Sequence, residues 1–532
     1  MRDFHVYDTT LRDGAQQEGI NLSVTDKLAI ARLLDDLGVT HIEGGWPGAN
    51  PNDTEFFDRA RTELELRDAT LVAFGSTRKA GAHAASDPQV QALLDSRAPV
   101  ITLVAKSHIG HVHRALKTTP DENLEMIRDT VNHLVSQGRE VIVDAEHFFD
   151  GYLLDREYAF AAVSAAMDAG AQLVALCDTN GGMLPGQVHD AVADVIATTG
   201  ARVGIHCHND TGCAVANSMA AVEAGATHVQ GTVNGYGERT GNADLITLVA
   251  NLQIKREMEI VEPYQLQEAT RIAHAISEVT NFPPYSRQPY VGSGAFAHKA
   301  GLHASAIKVD PDLYQHIEPK AVGNDMRMLV SDMAGRASIE LKSRELGVDL
   351  EGDNETLSRV LARVKTLEQR GYTFDGADAS FELLLRREVG AGVPEYAGIE
   401  SWRVITDASV GHGAEDDGDA LSEATVKVHA GGRRVVATGE GNGPVNALDH
   451  ALRDALSVVY PEIERLDLID YRVRILDAAH GTDATTRVLI ETSDGTGSWT
   501  TVGVAPNIVE ASWQALREGM TYGLMRAGVP AR

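Results

Sequence analysis

Two short motifs in this chain carry residue types that bind metal ions, HCHND at His206 to Asp210 and LRDGAQ at Leu11 to Gln16. Side chains alternate faces along a β-strand, so His206 and His208 point to one side while Cys207 points to the other. Two imidazoles on one face can share a divalent ion, and Asp13 adds a carboxylate. Asn242 in GYGERTGNADL offers a further oxygen. Two nitrogens and two oxygens suit Mn²⁺, Mg²⁺ or Zn²⁺ and leave positions open for a bidentate substrate. Arg12, beside Asp13, is placed to stabilise an oxyanion on a polarised carbonyl, with a salt bridge to a carboxylate as its alternative role. For either histidine alone, a structural hydrogen bond is the competing reading.

These residues act together only if the fold brings distant segments to one place. Short β-rich runs begin at His5, His41, Leu71, Val100, Val141, Leu173, Arg202 and His228. Helical patterns separate them, as in TDKLAIARLLDDLGV, where Thr25 can cap and Leu28, Leu33, Leu34 and Leu37 line one face. Eight apolar strands at intervals of roughly 30 residues, each followed by a helix, predict an α/β fold, a (β/α)₈ TIM barrel over residues 1–275. A doubly wound open sheet is the alternative. A barrel gathers chemistry at the carboxyl ends of its strands, where Asp13, His206, His208 and Asn242 all fall. Glu146 in DAEHFFDG ends the fifth strand and Thr179 in CDTNGG ends the sixth. Glu146 is a candidate base or polariser, and Thr179 a donor to a substrate carboxylate or else a helix cap.

Residues 276–395 change character. A Pro- and Gly-rich linker, NFPPYSRQPYVGSGAFAHKAGLH, precedes helical segments at ASIELKSRELGV and NETLSRVLARVKTLEQRGY, which predict helical connector subdomains. His303 lies in this linker and can act only if the linker folds over a barrel mouth. Residues 396–532 contain a weak internal repeat, in which Pro444 corresponds to Pro506 and the ALR at Ala451 to that at Ala515. Each copy has the pattern strand, turn, strand, helix, which predicts a C-terminal α+β domain of duplicated units with a seam suited to dimerisation or a small effector. The acidic run Gly411 to Ala420 is expected to be a solvated loop or hairpin tip.

Composition excludes several partners. A formal charge of −29 leaves no basic surface for nucleic acid or an anionic membrane. The start MRDFHVYDTT has no apolar core of a signal peptide and no apolar run is long enough to span a bilayer, so a cytoplasmic location is expected. Cys177, Cys207 and Cys213 form no CxxC pair. His108, His111 and His113 fit no single face and are expected at the surface or beside substrate rather than on a second metal. The glycines of GYGERTG and VGSGAFA match no dinucleotide fingerprint and are read as turns. Trp46, Trp402, Trp499 and Trp513 are expected in cores or interfaces.

LRDGAQ followed by Lys27, together with HCHNDTG, resembles the signature pair of the 2-isopropylmalate, homocitrate and citramalate synthases, members of the DRE-TIM metallolyases. The resemblance covers nearly the whole chain. GGWPGANPNDTEFF, DAEHFFDGY, GYGERTGNADL and RGYTFDGADASFELLLRR are most similar to the longer citramalate synthase subfamily. It implies a metal-dependent Claisen condensation of acetyl-CoA with pyruvate to (R)-citramalate and CoA, an acyl transfer in which the acyl group becomes alkyl. It implies that Asp13, His206, His208 and Asn242 hold the metal, that Arg12 stabilises the alkoxide and that Thr179 orients the substrate carboxylate. Glu146 and His303 would serve deprotonation of the acetyl methyl and thioester hydrolysis, with Tyr314 assisting and His303 supplied by the neighbouring subunit of a homodimer. The C-terminal domain would be allosteric, with isoleucine as inhibitor. Leu103 or Phe148 are candidates for the wall that selects pyruvate. A 2-isopropylmalate synthase acting on 2-ketoisovalerate is the alternative, followed by a lyase running the reverse reaction and a silent amino-acid sensor.

Overall fold

The computed structural model describes residues 4–390, 392–407, 421–476 and 484–532. The chain divides into two compact units, Met1–Phe296 with Ile317–Asp325, and Ala297–His316 with Met326–Arg532.

The first unit is built on eight parallel strands, β1 (His5–Asp8), β2 (His41–Gly45), β3 (Thr70–Ser76), β4 (Val100–Lys106), β5 (Glu140–Glu146), β6 (Leu173–Asp178), β7 (Val203–Cys207) and β8 (His228–Gly231). They follow one another around a closed barrel, and β8 pairs with β1 from His5 opposite His228 to Asp8 opposite Gly231. Closure rules out the open sheet. Outward residues such as Ile101, Val143 and Ile205 are buried with those of the surrounding helices. Strand alternation turns Glu43, Thr102, Asp144, His206 and Gln230 to the inside, together with a small apolar cluster of Tyr7, Val72, Val100, Ile142, Leu173 and Ala175. This interior is far more polar than the branched aliphatic filling usual for such barrels.

The first helix shows how local chemistry sets an element. It runs Val24–Leu37 and buries Leu28, Leu34 and Leu37. Its cap is Ser23, not Thr25. The Ser23 hydroxyl accepts from Asp26 N at 3.2 Å while the Asp26 carboxylate accepts from Ser23 N at 2.8 Å, a reciprocal capping box. Thr25 lies inside the helix, where its hydroxyl has no such free backbone amide to receive. Gly38 ends the helix at φ 82°, a left-handed conformation that favours glycine.

In the second unit, helices Gly301–Val309, Arg336–Glu345, Asn354–Gln369 and Asp378–Glu388 precede two similar modules. Strands Gly398–Asp407, Leu421–Ala430 and Arg433–Gly441 form one antiparallel sheet, with the helix Pro444–Ser457 following. Strands Asp467–Ile475, Thr486–Ser493 and Ser498–Ala505 form the other, followed by Ile508–Arg526. Val426, Leu448, Ile490 and Leu516 belong to one core, so the two modules are packed as a pair. Each has one more strand than the repeat predicts. Trp499 and Trp513 are buried in this core and Trp402 packs against Trp513 at 5.7 Å. The acidic run Gly411 to Ala420 lies outside the described residues. Among the described residues no helix is long and apolar enough to cross a membrane.

Candidate metal centre and substrate cavity

At the carboxyl end of the barrel, Asp13, His206 and His208 converge so that one ligand atom from each lies within 4.8 Å of the others. Asp13 Oδ2 is 3.6 Å from His206 Nε2 and 3.9 Å from His208 Nε2. The two imidazoles have ring centroids 5.2 Å apart, while Cys207 is buried on the opposite face of β7. Asn242 is bridged to His208 through the backbone and donates from Nδ2 to Asp13 Oδ1 at 3.0 Å. Burial lowers the pKa of both histidines, that of His208 to about 4, so they are neutral with lone pairs available. Burial opposes the charge of Asp13, yet Arg12, the two histidines and Asn242 together bring its pKa down to about 2. His208 Nδ1 and Asn242 Oδ1 are buried with no hydrogen-bond partner among the described residues. A carboxylate, two neutral imidazoles and an orphaned amide oxygen fit a divalent cation and fit no dry hydrophobic core.

Arg12 is fixed by two carboxylates. Its Nε donates to Glu43 Oε1 at 2.6 Å and its Nη1 to Asp13 Oδ2 at 3.1 Å, and its guanidinium carbon sits 3.9 Å from the Phe74 ring centroid. Burial works against the guanidinium charge, but Glu43 and then Asp13 outweigh it and hold the pKa above its ordinary value. Glu43 is fully buried and also accepts from the Tyr7 hydroxyl and from Thr9 Oγ1. The salt bridge weighed as an alternative for Arg12 is therefore present, and it holds the guanidinium in place at the cavity. Lys27, the last residue of the first signature, is buried. It donates to Gly44 O at 3.0 Å and to Asp53 Oδ1 at 2.5 Å, while Asp53 Oδ2 accepts from Trp46 N at 2.8 Å. Lys27 thus shapes the bend after β2, where the β2–β3 register shifts.

Above this group opens a cavity of about 660 Å³, lined by Arg12, Asp13, Glu146, Thr179 and His208 among others. Thr179 Oγ1 accepts from His147 N at 2.8 Å, which leaves its hydroxyl proton free to donate into the cavity. Glu146 is ion-paired with Lys106 at the end of β4, whose pKa burial lowers. Arg239 joins three loops, pairing with Asp210 at 2.9 Å and donating to Thr179 O at 2.8 Å. The glycines around Arg239 are turn residues: at Gly241, φ 86°, a Cβ would meet Gly235 O at 1.9 Å.

Trp46, Phe74, Val104, Leu116 and Met126 form the apolar part of the wall. Leu103 and Phe148, expected there, are both fully buried in the core between barrel and helices. On β4 it is Val104, one residue along, that faces the cavity, because a single step along a strand reverses the face. His111 packs its ring 4.5 Å from His108 and 4.2 Å from His147, and Ala115 and Leu116 at the end of the same helical segment reach the cavity. His303 and Tyr314 belong to the second unit, where their rings stack with centroids 4.0 Å apart.

Residues 3–276 match the HMGL-like family, residues 290–372 the homocitrate synthase post-HMGL domain-like family, and residues 375–524 the LeuA allosteric (dimerisation) domain. The (R)-citramalate synthase of Streptomyces coelicolor is 66% identical over 99% of this chain and 97% of its own length. That of Synechocystis is 49% identical over 98% of this chain and 96% of its own. A probable 2-isopropylmalate synthase of Methanopyrus kandleri is 35% identical over 97% of both chains. The chain belongs to the HMGL-like family, in the branch of (R)-citramalate and 2-isopropylmalate synthases.

Proposed function

We propose that this chain condenses acetyl-CoA with pyruvate and water to give (R)-citramalate and free CoA, an acyl transfer that feeds isoleucine biosynthesis. The reading is carried by the convergence of Asp13, His206 and His208 beneath a cavity that also holds Arg12, Glu146 and Thr179, in a chain whose relatives at 42% to 66% identity bear the name (R)-citramalate synthase.

Asp13, His206 and His208, with Asn242, would hold a divalent ion, Mn²⁺, Mg²⁺ or Zn²⁺, which would supply Lewis acidity that polarises the keto group of pyruvate. Thr179 donates its free hydroxyl proton to the substrate carboxylate and fixes its orientation. The Arg12 guanidinium, kept charged and aimed by Glu43, stabilises the alkoxide that forms as the new carbon–carbon bond closes. Glu146 serves deprotonation of the acetyl methyl and the later thioester hydrolysis, with His303 and Tyr314 supplied by a second copy of the chain in a homodimer. Val104, Phe74 and Trp46 restrict the tail of the keto acid by steric exclusion.

The test is CoA-thiol release from acetyl-CoA with pyruvate, 2-ketoisovalerate or 2-ketoglutarate, with Mn²⁺ and with chelator. Metal-dependent preference for pyruvate is expected. A preference for 2-ketoisovalerate would move the chain to the 2-isopropylmalate branch, and no release with any acceptor would reject the condensation. The C-terminal modules are the regulatory domain of this reading, with isoleucine as inhibitor; turnover unchanged by millimolar isoleucine would reject that part.

A further inference from the structure

Beneath the metal-binding group three buried side chains form a line through the barrel. His206 Nδ1 lies 2.9 Å from Gln230 Oε1, and Gln230 Nε2 donates to Asp144 Oδ1 at 2.8 Å. The sheet itself builds the first contact, since Gln230 on β8 is the register partner of His206 on β7. Asp144 reaches the same amide from β5, across the barrel. All three are 5% exposed or less.

The line has a direction. An amide accepts at one end and donates at the other, and a neutral imidazole does the same. Gln230 turns its amide nitrogen to Asp144 and its amide oxygen to His206, the orientation that an ionised Asp144, an acceptor only, requires. His206 Nδ1 must then carry the ring proton. Its Nε2, the nitrogen 3.6 Å from Asp13, keeps a lone pair aimed at the metal-binding group. His208 has no counterpart to this support, because its Nδ1 is without a partner among the described residues. Placing a Gln and an Asp inside a barrel costs desolvation that branched aliphatic residues would avoid. That cost is offset if the pair orients a ligand.

We propose that Gln230 and Asp144 are positioning residues for metal binding, which lock the tautomer and ring orientation of His206. The inference rests on reading His206 as a metal ligand. It is tested by titrating Co²⁺ or Mn²⁺ into metal-free protein by calorimetry, with the visible Co²⁺ spectrum as a readout of coordination geometry. Gln230→Met and Asp144→Leu are expected to bind about 10- to 100-fold more weakly with an altered Co²⁺ spectrum, while Asp144→Asn, which keeps an acceptor oxygen, stays within about threefold of the unaltered chain. Folded Gln230→Met protein with unchanged affinity and spectrum would overturn the positioning role. Unaltered protein that binds neither ion would overturn the metal reading itself, and this inference with it. Should both apolar variants fail to fold, ¹⁵N-histidine NMR of the unaltered protein decides: a proton on His206 Nδ1, assigned by its loss in His206→Gln, is expected, and a proton on Nε2 overturns the proposal.

Discussion

Replacing Glu43 by leucine tests whether the barrel interior is organised around the Arg12 guanidinium. Leucine has a similar volume, so the change removes an acceptor for three donors and creates little cavity. Tyr7 keeps its contact to Thr102 at 2.8 Å, but Thr9 Oγ1 and Arg12 Nε lose theirs, and the guanidinium is left with Asp13 alone. Breaking a buried ion pair by removing one partner costs about 3–5 kcal/mol, roughly a hundred- to several-thousandfold in the folding equilibrium. Glu43→Gln keeps an oxygen for Arg12 Nε and Thr9 Oγ1 but loses the charge and turns a donor instead of an acceptor to the Tyr7 hydroxyl, so its cost is about 1.5–3 kcal/mol. Hydrogen exchange of peptides from residues 4–45 reads this directly, because their slowest amides open only with the barrel. Turnover falls as well, by about 10- to 100-fold in Glu43→Leu, since Arg12 is free to swing toward Asp13. A Glu43→Leu chain with unchanged exchange and turnover would refute the argument that Glu43 anchors Arg12.

Three further outcomes are expected. His208→Ala loses divalent-ion binding measured by calorimetry and loses turnover, while its circular dichroism is unchanged; retained turnover would remove His208 from the metal site. His41, at the opposite end of the barrel, has its pKa lowered from 6.5 to about 3 by burial and then by His5 and Arg202. The unfolded chain takes up a proton below pH 6.5 that the folded one refuses, so stability falls as pH drops through this range, by up to about 2.7 kcal/mol between pH 6.5 and 4.5 from this residue. His41→Leu flattens that part of the urea-denaturation profile. Val104→Ala opens the cavity wall and raises the preference for 2-ketoisovalerate over pyruvate by roughly tenfold in kcat/KM; an unchanged ratio would show that Val104 does not select the tail.

All eight barrel strands were legible in the sequence, because short β-rich runs, mostly apolar, are separated by amphipathic helices. The grouping of Asp13 with two histidines followed from closure of that barrel. What stayed hidden depends on neighbours distant in the chain. Glu43, Lys106, Asp144 and Gln230 each carried one local sign, a polar side chain within an apolar strand, but their partners lie 31, 40 or 86 residues away. Leu103 lies on the wrong parity of its strand to reach the cavity, since Thr102 and Val104 face inward and Leu103 faces the helices. The first strand of each C-terminal module was missed for a different reason. In Asp467–Ile475 the apolar Ile469, Val473 and Ile475 remain exposed, so the strand lacks the one-sided burial that alternation reports.

Closure of the barrel also sets an order in time. Asp13 and Asn242 meet across 229 residues, and β1 finds its second partner, β8, only after the other six strands exist. During synthesis the ligand group is therefore absent until nearly the whole barrel has left the ribosome, and the nascent chain offers a divalent ion no more than scattered side chains. An ion that prefers the finished group is captured last, and at a concentration a hundred times its Kd it adds about 2.7 kcal/mol to the closed form. On the proposed reading the same group is also a latch on the seam between the oldest and youngest strands, and chelation loosens that seam before it loosens the rest.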